Sequence, residues 1–426
     1  MPRLRTLIVA VLVVSMTAVN LLASFSPAAP GTSEPLRLRW KGNVIKIAVS
    51  TSVTEPNANI KFDSDVFGAI RRSVDAWQAA ADIQIEIERS DKQSLSPSGI
   101  SGDGVSLITI AQSVENVLLF SKEPMAESAK TRVFYKNSQI TEADIVLNPF
   151  QQFSTDGTFG TFDLESTLTH EIGHLLGLRH SGVLGASMSS SLARNGTFGL
   201  ADVTGRKLAE SDIAAIRDLY GTRESAEACC GAIAGKLTTA SAKPARGVRV
   251  WAEESSTGRV AAQTDTAPDG SFKLGGLSEG TYGVFWQREG DAVPSSVGGL
   301  GTIKIEKGET RTLNEKVSLT RANVTLSYVG VNNQLTDSAV TLASDREHSI
   351  FLGGKNLDRK KVTVEFNSPY ITVMPNSMAD QDFGDGVSVI SFNVAVHVDT
   401  PPGVYSIFAT AADGSMTSLI GALKVQ

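Results

Sequence analysis

Three of the chain's five histidines fall within one short run, Thr169-His170-Glu171-Ile172-Gly173-His174-Leu175-Leu176-Gly177-Leu178-Arg179-His180-Ser181. On a helix, residues four apart lie one turn above each other on the same face, so His170 and His174 present imidazoles to one point. Glu171 lies about 100° around the helix from His170, within reach of a water on a metal held there but off the two-nitrogen axis. A helix continued to His180 would carry it about 15 Å beyond His170 along the axis, too far for a Zn–N bond of about 2.0–2.1 Å. Gly177 removes the difficulty, because glycine takes positive φ, ends the helix and swings the chain back. Three neutral imidazoles, His170, His174 and His180, then hold one zinc ion and leave a fourth position open, as catalytic rather than structural zinc sites do. Glu171 is the expected general base, taking a proton from the attacking water and returning it to a leaving amine. Reading the three histidines as ordinary helix residues leaves Glu171, Gly177 and His180 in register without a reason.

At 426 residues the chain is long enough for two or three domains. Apolar residues make up 41% and charged residues 20%, which excludes wholesale disorder and a multi-span membrane protein. Lys plus Arg number 39 against Asp plus Glu 45, a net charge of -6 without long single-sign runs. That balance excludes the basic footprint of a nucleic-acid binder. The two cysteines are adjacent, Cys229 and Cys230, so neither a disulfide-stapled scaffold nor a cysteine zinc ribbon is available. They are read as structural or incidental.

The amino terminus carries Pro2-Arg3-Leu4-Arg5, an apolar run from Leu7 to Leu22, then small residues and prolines through Pro35. This order reads as a secretory signal over residues 1–29, cut between Ala23 and Ala29. The alternative is an uncleaved anchor formed by residues 7–23, the run being marginal for a spanning helix of about 20 residues. The expected location is therefore secreted or periplasmic, with membrane contact only if the segment is retained.

Residues 36–223 mix strands with helices. Ile45, Ile47 and Val49 alternate with polar or small neighbours, as do Ile83, Ile85 and Ile87, and further strands are expected at Val105–Ile110, Arg132–Tyr135 and Ala143–Leu147. Val66, Ile70, Val74, Trp77 and Ala81 predict an amphipathic helix with Asp63 or Ser64 as N-cap. A second helix is expected over Leu164–Gly177 and a third over Ser211–Tyr220, with Asp212 in its first turn facing the helix dipole. After a linker at 224–230, helical periodicity gives way to short alternating runs and turns such as Pro268-Asp269-Gly270 and Pro401-Pro402-Gly403. Two β-sandwich domains are expected, over 231–320 and 321–426. The predicted architecture is thus multidomain: an α+β domain with a twisted mixed sheet and three helices, then two all-β sandwiches.

The complete pattern H-E-x-x-H-x-x-G-x-x-H resembles the metzincin zinc endopeptidases. Ser181 after the third histidine, the segment Gly185-Ala186-Ser187-Met188, and Leu208-Ala209-Glu210-Ser211-Asp212-Ile213 with Leu219-Tyr220-Gly221 resemble the matrixin branch. The resemblance covers roughly Leu36 to Thr222 and implies a peptidase with one catalytic zinc ion acting on polypeptide substrates. It also implies that Met188 is a buried support beneath the metal rather than a ligand, and that Ile140–Leu147 forms the substrate-side edge strand. Tyr220 is read as packing. The chain departs from the family in having no histidine before His170, so a second, structural zinc is not expected, and in carrying Ser189-Ser190-Ser191 where the S1′ wall usually has Pro-x-Tyr. Calcium is left unassigned: Asp144, Asp156 and Asp163 offer oxygen donors in the right region, but solvated loop carboxylates are the preferred reading. The first β module resembles a carboxypeptidase regulatory-like sandwich through Val248-Arg249-Val250 and Asp269-Gly270-Ser271-Phe272. The last resembles an immunoglobulin-like sandwich through Gly354-x-Asn356-Leu357. The implied role of these modules is to hold substrate, a surface polymer or matrix. The competing function is an adhesion or matrix-binding protein carrying an inactive protease-like domain.

Overall fold

The structure is a computed structural model and describes residues 37–97, 101–122, 124–125, 127–196, 204–223, 230–288, 294–384 and 386–426. The signal or anchor segment lies outside the described residues, as do Cys229 and nearly all of the 224–230 linker. Cys230 is disulfide-bonded. No helix among the described residues is long and apolar enough to cross a membrane.

Among the described residues up to Arg223 there is a six-stranded mixed sheet with helices against it. Its strands are β1 (Arg39–Trp40), β2 (Val44–Ser50), β3 (Gln84–Ser90), β4 (Leu107–Thr109), β5 (Ala129–Lys136) and β6 (Gln139–Leu147), in the order β1-β6-β4-β2-β3 with β5 on the far side of β6. β2, β3 and β4 run parallel, whereas β5 and β6 form an antiparallel hairpin. This corrects the expected edge: β6 is flanked on both sides, and β5 is the strand that pairs only with β6. Val105–Ile110 is likewise strand only over the three residues of β4. Two small parallel strands, β7 (Phe153–Ser154) and β8 (Phe162–Asp163), lead into the ligand helix.

Five α-helices, not three, accompany this sheet among the described residues. The two unforeseen ones are a single turn, α1 (Thr51–Thr54), and a short α3 (Val114–Leu118), both below the length at which an apolar stripe can be recognised. α2 (Val66–Ala80) buries Ala69, Ile70, Ser73, Val74 and Trp77, and its N-cap is Asp65, which accepts from the Gly68 amide, instead of Asp63 or Ser64. α4 (Leu164–Leu175) starts at Asp163, whose carboxylate accepts from the Ser166 amide, and is buried along almost its whole length. α5 (Glu210–Tyr220) closes this part of the chain. α2 packs against α4, where Gly173 leaves room for the Trp77 ring. The Trp77 indole donates to the Thr169 carbonyl at 2.8 Å, and Thr169 Oγ1 bonds Ser73 Oγ at 3.1 Å.

Beyond residue 230 the described residues contain no helix. A four-stranded and a three-stranded sheet enclose a core that includes Ile233, Val250, Leu274, Val284 and Trp286. A five-stranded and a four-stranded sheet then enclose a second core with Val329, Ile350, Phe392, Ile407 and Leu423. Alternating apolar residues on facing strands make both cores, as their period-two pattern requires.

Candidate metal centre

The end of α4 is built to stop where the motif needs it to. The Gly177 amide bonds the His174 carbonyl and the Leu178 amide bonds the Gly173 carbonyl, both at 2.9 Å, with Gly177 at φ 98°. This is a Schellman closure with glycine in the left-handed position. A side chain there would also strike the Leu38 carbonyl oxygen, 2.2 Å from where a Cβ would stand. The carbonyls left over at the helix end are taken by residues distant in sequence: the Trp40 indole donates to Leu175 O at 2.9 Å and the Tyr220 hydroxyl to Leu176 O at 2.8 Å. The Trp40 amide in turn donates to the Tyr220 hydroxyl. Tyr220 therefore does more than pack, since it satisfies a helix terminus that would otherwise be unpaired.

Past Gly177 the chain returns and brings His180 to the other two histidines. One nitrogen from each of His170, His174 and His180 lies within 4.8 Å of the other two. His170 Nε2 and His174 Nε2 are 3.0 Å apart, near the separation of about 3.3 Å that two bonds of 2.0–2.1 Å make at a tetrahedral metal. The outer nitrogens are engaged: His170 Nδ1 lies 2.7 Å from Ser187 O, and His174 Nδ1 lies 2.9 Å from Leu178 O. A backbone carbonyl can accept only from N–H, so each Nδ1 carries the proton and each Nε2 presents its lone pair inward. His170 is buried and His180 is open to solvent, so the site has a wet side.

Met188 is buried against this helix. At Gly173 a Cβ would lie 2.2 Å from Met188 Sδ, so only a residue without a side chain lets the sulfur come up beneath the histidine-bearing turn. The segment holding Met188 is fixed by Asp212, whose carboxylate accepts from the amides of Ser187 at 2.7 Å, Ala209 at 2.8 Å and Met188 at 3.1 Å. Burial pushes Asp212 up while these three amides oppose the shift. Ser187 then holds His170 through its carbonyl. In the sequence Asp212 is indistinguishable from a solvated first-turn carboxylate, and its real task emerges only with the turn folded over it.

Glu171 is buried, and its Oε2 accepts from Thr131 Oγ1 of β5 at 2.6 Å. Burial pushes its carboxyl up to about 7, with the Thr131 hydroxyl and the Lys130 charge pulling the other way. Nothing local in the sequence links a strand threonine such as Thr131 to a carboxylate forty residues on.

The three aspartates weighed for calcium lie in three different settings. Asp144 is buried and accepts from the amides of Ser96 at 2.9 Å and Leu107 at 3.0 Å. Asp156 pairs with Lys61 at 2.6 Å, and Asp163 caps α4 while binding Arg206 through two nitrogens. Among the described residues, the three histidines are the one group of three or more His, Cys, Asp or Glu side chains with converging ligand atoms.

Burial pushes His170 down to about 4 from its ordinary 6.5, and His174 and His180 are also lowered. Between these two values the unfolded chain takes up a proton that the folded chain refuses, so stability falls as pH drops through the window. Without metal, His170 alone is expected to cost about 2 kcal/mol of stability between pH 7 and pH 5. Glu171, pushed up to about 7, acts in the opposite sense over the same window, so the His170 contribution is read by NMR titration of its ring in chelator-treated protein, and an imidazole that takes up its proton near 6.5 would contradict the buried neutral ring.

No curated protein matches the chain in sequence. Solved structures with some likeness include BcpA, the major pilin subunit of Bacillus cereus, at 11% identity, 46% of this chain, 67% of that chain and TM-score 0.18. Another is the shaft pilin SpaA of Lactobacillus rhamnosus GG, at 11% identity, 46% of this chain, 98% of that chain and TM-score 0.17. A third is the Bacteroides ovatus protein SGBP-B of a mixed-linkage glucan utilization locus, at 13% identity, 45% of this chain, 42% of that chain and TM-score 0.18. Scores this low bear on neither fold nor function. The sequence model of the matrixin family, by contrast, matches residues 40–221, the stretch that holds all three histidines, Glu171 and Met188.

Proposed function

We propose that the chain is an exported zinc-dependent endopeptidase. The observation that carries the reading is the convergence of three imidazole nitrogens with Glu171 intact on the helix that bears two of them, inside the stretch that matches the matrixin family. The donor set suits zinc: neutral nitrogens with second-sphere carbonyls on the outer face and one side open to solvent. When bound, the ion supplies Lewis acidity, polarising a scissile carbonyl and making water nucleophilic near neutral pH.

The remaining steps belong to the protein's own groups. His170, His174 and His180 hold the ion, and Ser187 O and Leu178 O fix the orientation of the first two rings. Glu171 takes the proton of the attacking water and passes it to the leaving amine. A buried carboxyl beside the ligand set is placed for both tasks, and the Thr131 hydroxyl keeps one oxygen oriented. Met188 supports the turn beneath the rings without ligating. An extended polypeptide would pair along the outer edge of β5, whose Thr131 already reaches the base. Export rests on the order of charge, apolar run and small residues at the amino terminus.

The test is chelator-sensitive cleavage. Purified chain incubated with unfolded polypeptides should hydrolyse internal peptide bonds, stop when a chelator is added and recover with one equivalent of zinc per chain. His180→Ala should fail to hold zinc under the same conditions. A folded chain that takes up zinc and cleaves nothing would instead favour the adhesion or matrix-binding alternative.

A further inference from the structure

The loop that carries the third histidine to Met188 is seated on both β units. The amides of Leu184 and Gly185 donate to the carbonyls of Ile420 and Gly421 in the chain's last strand, Met416–Val425, each at 2.9 Å. The Gly182 amide, two residues past His180, donates to Gln263 Oε1 at 3.0 Å, in the strand Val260–Asp265 of the first β unit. Val183 is fully buried, in an apolar cluster that also contains Trp251 and Val260 from the first β unit and Val404, Phe408 and Ile420 from the second. The rings of Trp251, Phe285 and Phe408 stack or tilt against one another across that junction at 5.6–6.4 Å. These contacts hold a segment that has no secondary structure of its own and whose two ends, joined by the Ser181 amide on Met188 O at 2.7 Å, both lie at the metal centre.

We infer that the β units are a positioning scaffold for His180: the loop bearing the third ligand is held in its metal-binding shape by Gln263 of the first unit and by Val404 and the last strand of the second. This rests on the metal-centre reading and deepens it, since it makes residues 231–426 part of the centre instead of detachable holders of a distant partner. The physical reason is the cost of an unfixed ligand. His170 and His174 are pre-set by a helix, but a third imidazole on a free loop would surrender conformational freedom each time the ion binds. A loop already pinned at Gly182, Val183, Leu184 and Gly185 has surrendered it beforehand.

The test uses the full chain and two readouts. Zinc affinity is measured by competition with a chromophoric chelator, at a temperature well below unfolding, for Gln263→Ala, Val404→Ala and the double substitution. Each single change should weaken zinc binding about 5-fold and the pair more than 10-fold, with unchanged circular dichroism. Gln263→Glu keeps an acceptor for the Gly182 amide but sets a second carboxylate where Gln263 donates to Asp265 Oδ1 at 3.0 Å, so it should weaken zinc binding less than Gln263→Ala without restoring it fully. A loss of global stability alone would lower the unfolding temperature without changing the affinity of the folded chain, and that result would overturn the inference. The second readout is amide hydrogen exchange in metal-free protein: the Leu184 and Gly185 amides should be protected, and Val404→Ala should speed their exchange. Rapid exchange of both in the parent chain would also overturn it. If the parent chain takes up no zinc, the metal-centre reading falls, and the exchange result still decides whether the loop is braced.

Discussion

Glu171→Gln is expected to lower peptide hydrolysis by about 10³-fold while leaving one zinc ion per chain. The substitution keeps the side chain's shape and the oxygen that accepts from Thr131, but it removes the basic oxygen that takes the proton. General-base catalysis contributes about 10²–10⁴ in rate, and a factor of 10³ corresponds to about 4 kcal/mol of barrier. Zinc content should hold because the converging donors are the three histidine nitrogens. Folding should not suffer either: burial already disfavours the charged carboxylate, and a neutral amide escapes that penalty. Steady-state kinetics beside metal analysis checks both halves, and a variant with normal turnover would remove Glu171 from the proposed mechanism.

Asp212→Ala is expected to be the most damaging change that touches neither ligand nor base. It strips acceptors from the buried amides of Ser187, Met188 and Ala209 together. An unsatisfied buried donor costs about 1–3 kcal/mol, so a loss of about 4 kcal/mol of stability is expected, part of it recovered as water reaches the loosened turn. Zinc affinity should fall as well, because Ser187 O orients the His170 ring. Asp212→Asn, which keeps one acceptor oxygen of the two, should fall between. Urea unfolding of the three chains gives the comparison. A loss below about 1 kcal/mol for the alanine variant would mean that the turn finds other partners.

The ligand set was legible because its geometry is local. Four-residue spacing on one helix needs no tertiary information to place His170 and His174 together, and a glycine three residues later suffices to predict a reversal before His180. Strands with clean alternation, such as Gln84–Ser90, were legible for the same reason. What failed was whatever depends on who sits beside whom. β6 has the apolar alternation of a strand, but no pattern within it reveals that β5 lies outside it and forms the edge. Asp63 and Ser64 are the caps that the residue pattern offers, and only the backbone bend moves the cap to Asp65. α1 and α3 are too short to have a period at all.

By itself, then, the amino-acid sequence determined the chemistry available to this chain: three imidazoles and a carboxylate at spacings that a helix and one glycine convert into a common point. Tertiary structure decided how that point is held. Thr131 reaches Glu171 from a strand, Tyr220 and Trp40 close the helix, Asp212 gathers three amides under Met188, and the last strand of the chain grips the loop after His180. All of these join residues far apart along the chain, whose contacts arise from the packing of whole elements and leave no periodic trace in either partner's neighbourhood.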